Sequence, residues 1–496
     1  MKKYLTLFTL LFLTAAIGVT TAICAIAQGH DDVTLTENVL IGDAASADGL
    51  IVTTMAGWYG RLHWNTVHAV GAEPMTECDY TQMRTNYSGT GYSSLYPLQM
   101  STEPALGMDF TKVLDDNGLS MGEVTSRNFE MTLSDGRSFK EAVSDPSLGI
   151  AAAYNRLYVD APIGEEVSDI VRLADYYDYY PINLTVQLPG VIWTHNDFKE
   201  LSEYTPGTEA DAVHKFREYF KLPVLADDTL EIPLTRNANV GLAWGSSSVS
   251  GADMFSMNPF SAAGENACYF TFSTLTAQGN TVDTSEIAGG YGIYRIPFRA
   301  GTSTSDTGFD ADSIEMVYPL TPGVEIEGMY LNTAGTHLLF VTKQDDRTAR
   351  VEIIELSSMT CRQTFAVNIG DGYFSHIKVY EDYSVIVTNE TLTVLSESGG
   401  VYTKEFTADI VDDGAERLYI TSRIPTAFDG IRLAVVNPLR DAFGLELCGY
   451  YVSVYTAAGC VYHAVFESSL DTGGAEDGTW SSGYNTELHE IAVAFE

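Results

Sequence analysis

The strongest constraint on this chain is a repeat in its C-terminal half. Phe365, Phe406 and Phe466 each close the same pattern. Fourteen residues before them stand Val351, Leu392 and Val452, and twelve before, Ile353, Val394 and Val454. Eleven before stand Ile354, Leu395 and Tyr455, and four before, Cys361, Tyr402 and Tyr462. A small polar turn separates the two apolar groups each time: Ser357-Ser358, Ser398-Gly399-Gly400 and Ala457-Ala458-Gly459. Alternating apolar residues on both sides of a short turn make a hairpin. A second hairpin pattern precedes each copy, at 329–343, 377–389 and 417–438. The unit is therefore four strands, starting at Met329, Ile377 and Leu418, 48 and 41 residues apart. One four-stranded sheet cannot bury both its faces. Several stacked around an axis can, and they leave only short protected edges, which is the logic of a β-propeller blade of ~40–50 residues.

The remaining sequence fits the same class. A looser copy spans 266–320, with CYFTF at 268–272, YGIYRIPF at 291–298 and IEMVYPL at 314–320. Further strands are expected near 34–41, 49–57, 61–68, 128–134, 151–159 and 182–188, and 70–125 reads as long loops. The last strand, 487–495, is placed to pair with an N-terminal strand and close the ring. A helix is expected at 208–220, capped by Thr208, with Ala212, Val213, Phe216 and Phe220 on one stripe. A second helical pattern lies at 165–177. The stretch 245–266 reads as a long inter-strand loop. The expected fold class is all-β, a β-propeller-like body of about 6–8 four-stranded blades after a single N-terminal transmembrane or signal segment. The domains are then 1–27 and 28–496, with two stacked β domains as the alternative architecture.

Residues 1–27 set the expected compartment. Lys2 and Lys3 form a short basic head, and 4–27 contains no charged residue. Twenty-four such residues suffice for a spanning helix, which needs ~20. Ala25-Ile26-Ala27 also offers a small-x-small cleavage site. A retained single-pass anchor with an extracytoplasmic body and a secreted form cleaved after Ala27 both remain open. Lys2 and Lys3 stay on the cytoplasmic side in either case. The formal net charge of −39 argues against nucleic acid or an anionic membrane face as partner, because like charges repel and no counterions are released. The membrane is then touched only through the N-terminal segment.

Six cysteines in 496 residues are far from a disulfide scaffold. Cys448 and Cys460 invite pairing. The turn near Ala457-Ala458 sets Cys460 against Tyr455 and Cys448 near Glu467, too far apart for a bridge. Unpaired buried thiols are expected.

The segments 38–66 (NVLIGDAASADGLIVTTMAGWYGRLHWNT), 171–190 (VRLADYYDYYPINLTVQLPG) and 218–228 (EYFKLPVLADD) resemble uncharacterised exported or membrane-anchored β-propeller-like proteins of Gram-positive gut anaerobes. The resemblance covers the first half of the chain and the rest by architecture. It implies a surface-anchored β protein and no particular activity.

A search for chemistry excludes more than it finds. No Gly-x-Ser-x-Gly elbow, no phosphate-cradling Gly-x-x-x-x-Gly-Lys and no His-Glu-x-x-His occur. His63 and His68 are five apart on a strand and so face opposite ways, as half-exposed strand histidines. Asp306, Asp310 and Asp312, and Asp409, Asp412 and Asp413, lack the ordered spacing of a calcium loop and read as solvated turn acids. Ser469-Leu470-Asp471-Thr472-Gly473 matches the start of a turn motif of sialidase-type propellers, but Trp480 comes too late to close it. Tyr176-Tyr177-Asp178-Tyr179-Tyr180 suits either a sugar-binding platform or a run with alternate tyrosines buried. No catalytic, cofactor-binding or metal residue is assigned, and no cofactor is expected. The expected function is a surface-displayed, non-enzymatic binding or scaffold protein for an unknown protein or glycan ligand. The alternatives are a glycan-acting hydrolase or lyase on a propeller scaffold, and an extracytoplasmic accessory or sensor subunit of a membrane complex.

Overall fold

Why each strand forms follows from which sheet faces it must cover, and a computed structural model of the 496-residue chain shows those faces. It describes residues 12–20, 33–58, 62–80, 98–102, 104, 109–125, 129–186, 210–235, 254–264, 266–298, 310–370, 373–411, 420–421, 424–440, 446–471 and 486–496. The strands of the first half are β1 (Leu35–Gly42), β2 (Leu50–Trp58), β3 (Leu62–Ala69), β4 (Met75–Tyr80), β5 (Leu98–Ser101), β6 (Glu166–Arg172), β7 (Asn183–Val186) and β8 (Thr229–Thr235). Then come β9 (Pro259–Ala263), β10 (Ala267–Phe272), β11 (Gly292–Pro297), β12 (Glu315–Pro319), β13 (Ile326–Leu331), β14 (His337–Asp345), β15 (Thr348–Glu355) and β16 (Thr360–Asn368). The chain ends with β17 (Phe374–Val379), β18 (Tyr383–Thr388), β19 (Thr391–Ser398), β20 (Val401–Asp409), β21 (Thr426–Phe428), β22 (Leu433–Arg440), β23 (Glu446–Thr456), β24 (Gly459–Ser468) and β25 (Thr486–Phe495).

The chain is mostly β, in antiparallel sheets of four strands joined in sequence order: β9 to β12, β13 to β16 and β17 to β20. A fourth meander, β21 to β24, gains β1 on its outer edge as a fifth strand. The expected units are thus present, and Ile326 and Phe374 open two of them 48 residues apart. Leu418 lies outside the described residues, and the first described strand of its unit is β21. The repeat also carries a shared irregularity. Between β15 and β16, β19 and β20, and β23 and β24, the register shifts at Ile353/Ile354, Val394/Leu395 and Val454/Tyr455. These pairs are the equivalent positions of the three copies. A bulge at one fixed place increases the local twist of each sheet in the same way.

The sheets pack face to face, which is a β-propeller-like arrangement. First strands lie side by side: β5 beside β9, β9 beside β13, β13 beside β17, and β21 beside β25. Leu339, Val341 and Ile353 pack on Ile377, Ile386 and Tyr402 of the next sheet, whose other face puts Val385 and Val394 on Leu433 and Tyr455. A strand covered on both faces reads as a continuous apolar run rather than an alternation. Tyr383 to Thr388 are accordingly all buried. Removing a fully buried Leu, Ile or Val from such a layer costs about 2–5 kcal/mol, except for Ile→Val exchanges.

The closing strand pairs as expected. β25 runs antiparallel to β2, Leu50 opposite Phe495 and Trp58 opposite Thr486, making the sheet β25-β2-β3-β4. Leu50 and Val52 pack on Val436, Val452 and Val454 of the last meander.

The first half departs from the sequence reading in five places. The stretch 70–125, read as long loops, holds β4, β5 and the helices Thr111–Asn117 and Met121–Thr125. Residues 150–160 form a helix, Ile150–Asp160, where a strand was expected at 151–159; Ile150, Ala153, Tyr154 and Val159 sink into the core. Residues 166–172 form β6, paired with β8 about sixty residues on, where a helix was expected at 165–177. Residues 129–135 hold a turn and one bridge, Thr132 to Ser138, in place of a strand at 128–134. The stretch 245–266 contains β9 instead of being all loop. The helix Ala210–Tyr219 matches expectation. Residues 12–20 are helical, and among the described residues no helix is long and apolar enough to cross a membrane. Lys2, Lys3 and 21–32 lie outside the described residues.

Candidate functional site

Repeat copies place their turns at the same end of neighbouring sheets. Three such turns surround a cleft of about 610 Å³: Ala334-Gly335 between β13 and β14, Leu356-Ser357 after β15, and Gly399-Gly400 between β19 and β20. Thr336, His337, Glu355 and Glu397 complete its lining.

Asn332 organises one wall. Its Oδ1 accepts hydrogen bonds from the backbone N–H of Thr336 at 2.8 Å and of His337 at 2.9 Å. The backbone N–H of Gly335 donates to the Asn332 carbonyl at 2.9 Å, closing a turn that places Gly335 at φ +64°. The Nδ2 of Asn332 then reaches across to the next sheet and donates to Oε1 of Glu397 at 3.0 Å. The hydroxyl of Tyr402 donates to Oε2 of the same carboxylate at 2.7 Å. Both oxygens of Glu397 are therefore oriented from below. Burial, reinforced by this carboxylate, pushes the Tyr402 phenol well above its ordinary pKa, so it stays a donor.

Glu355 is held in a similar manner. Its Oε2 accepts from Ser358 Oγ at 2.6 Å and from Arg362 Nε at 3.1 Å. These two donors hold its carboxyl below the usual carboxylate range. His337 lies opposite Glu355 in the sheet, its Nδ1 bonded to Thr336 Oγ1 at 2.9 Å. Its ring centroid is 6.1 Å from that of Tyr402. The site thus offers fixed acceptor oxygens and an imidazole edge to a ligand carrying hydroxyls or positive charge. A general acid for glycosidic cleavage needs a carboxyl held protonated, and Glu355 is displaced in the opposite direction.

The residues singled out from sequence are not brought together here. His63 and His68 do point opposite ways, but both are buried rather than half-exposed, because neighbouring elements cover both faces of β3. His68 Nδ1 lies 2.7 Å from Tyr450 Oη. Tyr180 is fully buried and its hydroxyl donates to Asp228, which also accepts from the Phe255 backbone N–H at 2.9 Å. Tyr176 and Tyr177 pack on the main core, and Tyr179 is the exposed tyrosine, bonded to Glu286 at 2.8 Å. The run is split between core and surface. Asp310 accepts from Ser313, and Asp312 pairs with Lys215. Asp409 lies in β20, while Asp306, Asp412 and Asp413 are outside the described residues.

Asp471 of the partial turn motif is half-buried, and its carboxylate accepts the backbone N–H groups of Cys448 and Gly449 at 2.8 and 2.7 Å. That is a fastening role; Trp480 lies outside the described residues. Cys460 faces Tyr455 as expected. Cys268, Cys361, Cys448 and Cys460 are thiols. Among the described residues no group of three or more His, Cys, Asp or Glu is placed to hold a metal ion.

The cleft residues were missed because each is unremarkable alone. The usable signal was positional: Glu355 and Glu397 stand ten and nine residues before the repeat phenylalanines, beside equivalent turns.

No protein-family model matches the chain, and no curated protein matches it. Solved structures overlap weakly. A putative 6-phosphogluconolactonase from Bacteroides fragilis is 10% identical, with a TM-score of 0.23 over 48% of this chain and 63% of that one. The β-propeller domain of Cps50 from Myceliophteria thermophila is 11% identical, with a TM-score of 0.22 over 48% and 70%. A catalytic domain of an α-L-arabinofuranosidase from Coprinopsis cinerea is 10% identical, with a TM-score of 0.20 over 40% and 63%. The overlaps span about 63% of the lactonase's length, and at these scores they carry no argument about activity.

Proposed function

We propose that this chain is a surface-displayed, non-enzymatic binding protein that holds a hydroxyl-bearing ligand, a glycan or a glycosylated protein, in the cleft between the β13–β16 and β17–β20 sheets. The observation that carries the reading is Glu397: both of its oxygens are oriented by donors from two different sheets, Asn332 and Tyr402. A carboxylate fixed in this way is preorganised to accept ligand hydroxyls at little ordering cost. The lowered Glu355 carboxyl favours binding over acid catalysis. The body is a six-bladed β-propeller, with β5 and β7 starting the blade that precedes the β9–β12 sheet, and residues 1–27 tether it to the cell membrane.

The test uses the full chain on a glycan array, with a reducing-end release assay on every glycan that binds. Binding without release is expected, weakened at least about tenfold by Glu397→Gln. Sugar release abolished by one substitution would replace this reading with the glycan-acting hydrolase or lyase. No retained glycan at all would leave a bare protein partner. Mass determination of the mature chain tests the tether, since cleavage after Ala27 would remove it.

A further inference from the structure

His489 is the extra residue of a β-bulge in the closing strand. β25 pairs Glu490 with Met55 and Leu488 with Ala56, which leaves His489 without a register partner. A bulge re-aims the side chain it carries. Here the imidazole lies over Gly57 of β2, and a Cβ built on Gly57 would fall 2.1 Å from His489 Nε2. Gly57 is in turn the cross-strand partner of His63 on β3. The missing Cβ therefore leaves a gap through which His489 reaches past β2 to His63. The two ring centroids are 6.2 Å apart and the rings are inclined by 33°. His63 is buried and His489 is exposed, so the pair has a closed end and an open end.

We propose that His63 and His489 together bind one divalent late transition-metal ion of the zinc class, with water in its remaining positions. Imidazole nitrogen is a preferred donor for zinc, nickel and copper. With metal–nitrogen bonds of ~2.0–2.1 Å and a tetrahedral angle, two rings sharing an ion have centroids roughly 5 Å apart. The observed 6.2 Å is about 1 Å wider, and the ring that must close the difference is the exposed one, His489. From sequence, His63 and His68 were read as facing opposite ways on their strand, with no metal assigned to them. The bulge and the glycine select His489 instead, 426 residues away in the chain. The backbone register also brings acidic positions into the same cross-strand row, Asp79 opposite His63 and Glu487 opposite Gly57. A bound cation would clip β25 to β3 across β2 and stabilise the closed form by mass action.

The experiment titrates the chelator-stripped full chain with ZnCl2, and separately with NiCl2, by calorimetry at pH 7.5. One site is expected, weakened at least about tenfold in His489→Ala and unchanged in His214→Ala, an exposed histidine on the helix Ala210–Tyr219. His489 is exposed, so its variant keeps the fold, and a second measurement reads the clip directly. Zinc should raise the thermal midpoint of the parent chain and leave that of His489→Ala unmoved. No heat up to 1 mM zinc, or equal affinity in His489→Ala, overturns the proposal.

Discussion

A Cβ built on Gly400 would fall 2.7 Å from Cε1 of His337, at a backbone φ of +81°. The turn of one sheet is thus pressed against the imidazole of its neighbour, and only glycine fits both the space and the angle. Gly400→Ala is expected to destabilise the chain by about 1–3 kcal/mol and to push His337 out of the cleft wall. Urea unfolding reads the first effect and ligand titration the second. Unchanged stability would mean that the two residues are not in contact.

Arg432 ties three parts of the closing region. Its Nη1 donates to the carbonyls of Ser46 at 3.2 Å and Asp48 at 3.0 Å, and its Nε donates to Asp429 at 2.7 Å. Its guanidinium carbon stands 4.5 Å from the centre of the Phe495 ring. Arg432→Ala should cost about 2–4 kcal/mol, and Arg432→Lys should recover little of it, because an ammonium cannot serve carbonyls, carboxylate and ring face together. Thermal midpoints of the two variants check this; equal recovery by lysine would refute it.

His376 on β17 is pushed down to about 4 by burial, with the Lys378 ammonium acting in the same direction. The unfolded chain takes up that proton near 6.5. Below this value the unfolded state binds a proton that the folded state refuses, so stability is full above about pH 6.5 and falls as pH drops toward 4. The loss from this group approaches about 3 kcal/mol. Urea midpoints at pH 7 and pH 4.5 should converge by that order in His376→Gln relative to the parent. An identical slope in both chains would count against it.

Burial raises the thiols of Cys268 and Cys448 well above the ordinary range and pushes Cys460 up to about 11. Thiolate is the reactive form, so these three should resist a thiol reagent at pH 8 until urea unfolds the chain. Half-exposed Cys361 should react ahead of them. Mass mapping of labelled peptides with time gives the order; early labelling of Cys268 would contradict the packing described.

The C-terminal half was legible because its information is local. Each strand carries its own apolar pattern and each turn its glycine or serine. The first half depends on partners far along the chain. β6 carries Val167, Ile170 and Val171 at spacings that also suit a helix, and pairing with β8 decided the matter. At 150–160 the tyrosines Tyr154 and Tyr158 are four apart, a helical spacing that alternation obscured. The cleft and the His63–His489 pair were illegible for a different reason. Both arise between sheets or across strands, from a shared turn position in one case and a bulge over a glycine in the other.

The pairing of β25 with β2, and of β24 with β1, has a meaning for how the chain is made. β2 meets a strand that lies far along the chain, so one of its edges waits unsatisfied until β25 has been synthesised. A product that stops short of β25 would keep β2 paired with β3 and leave its other edge open as a template for strands of other chains.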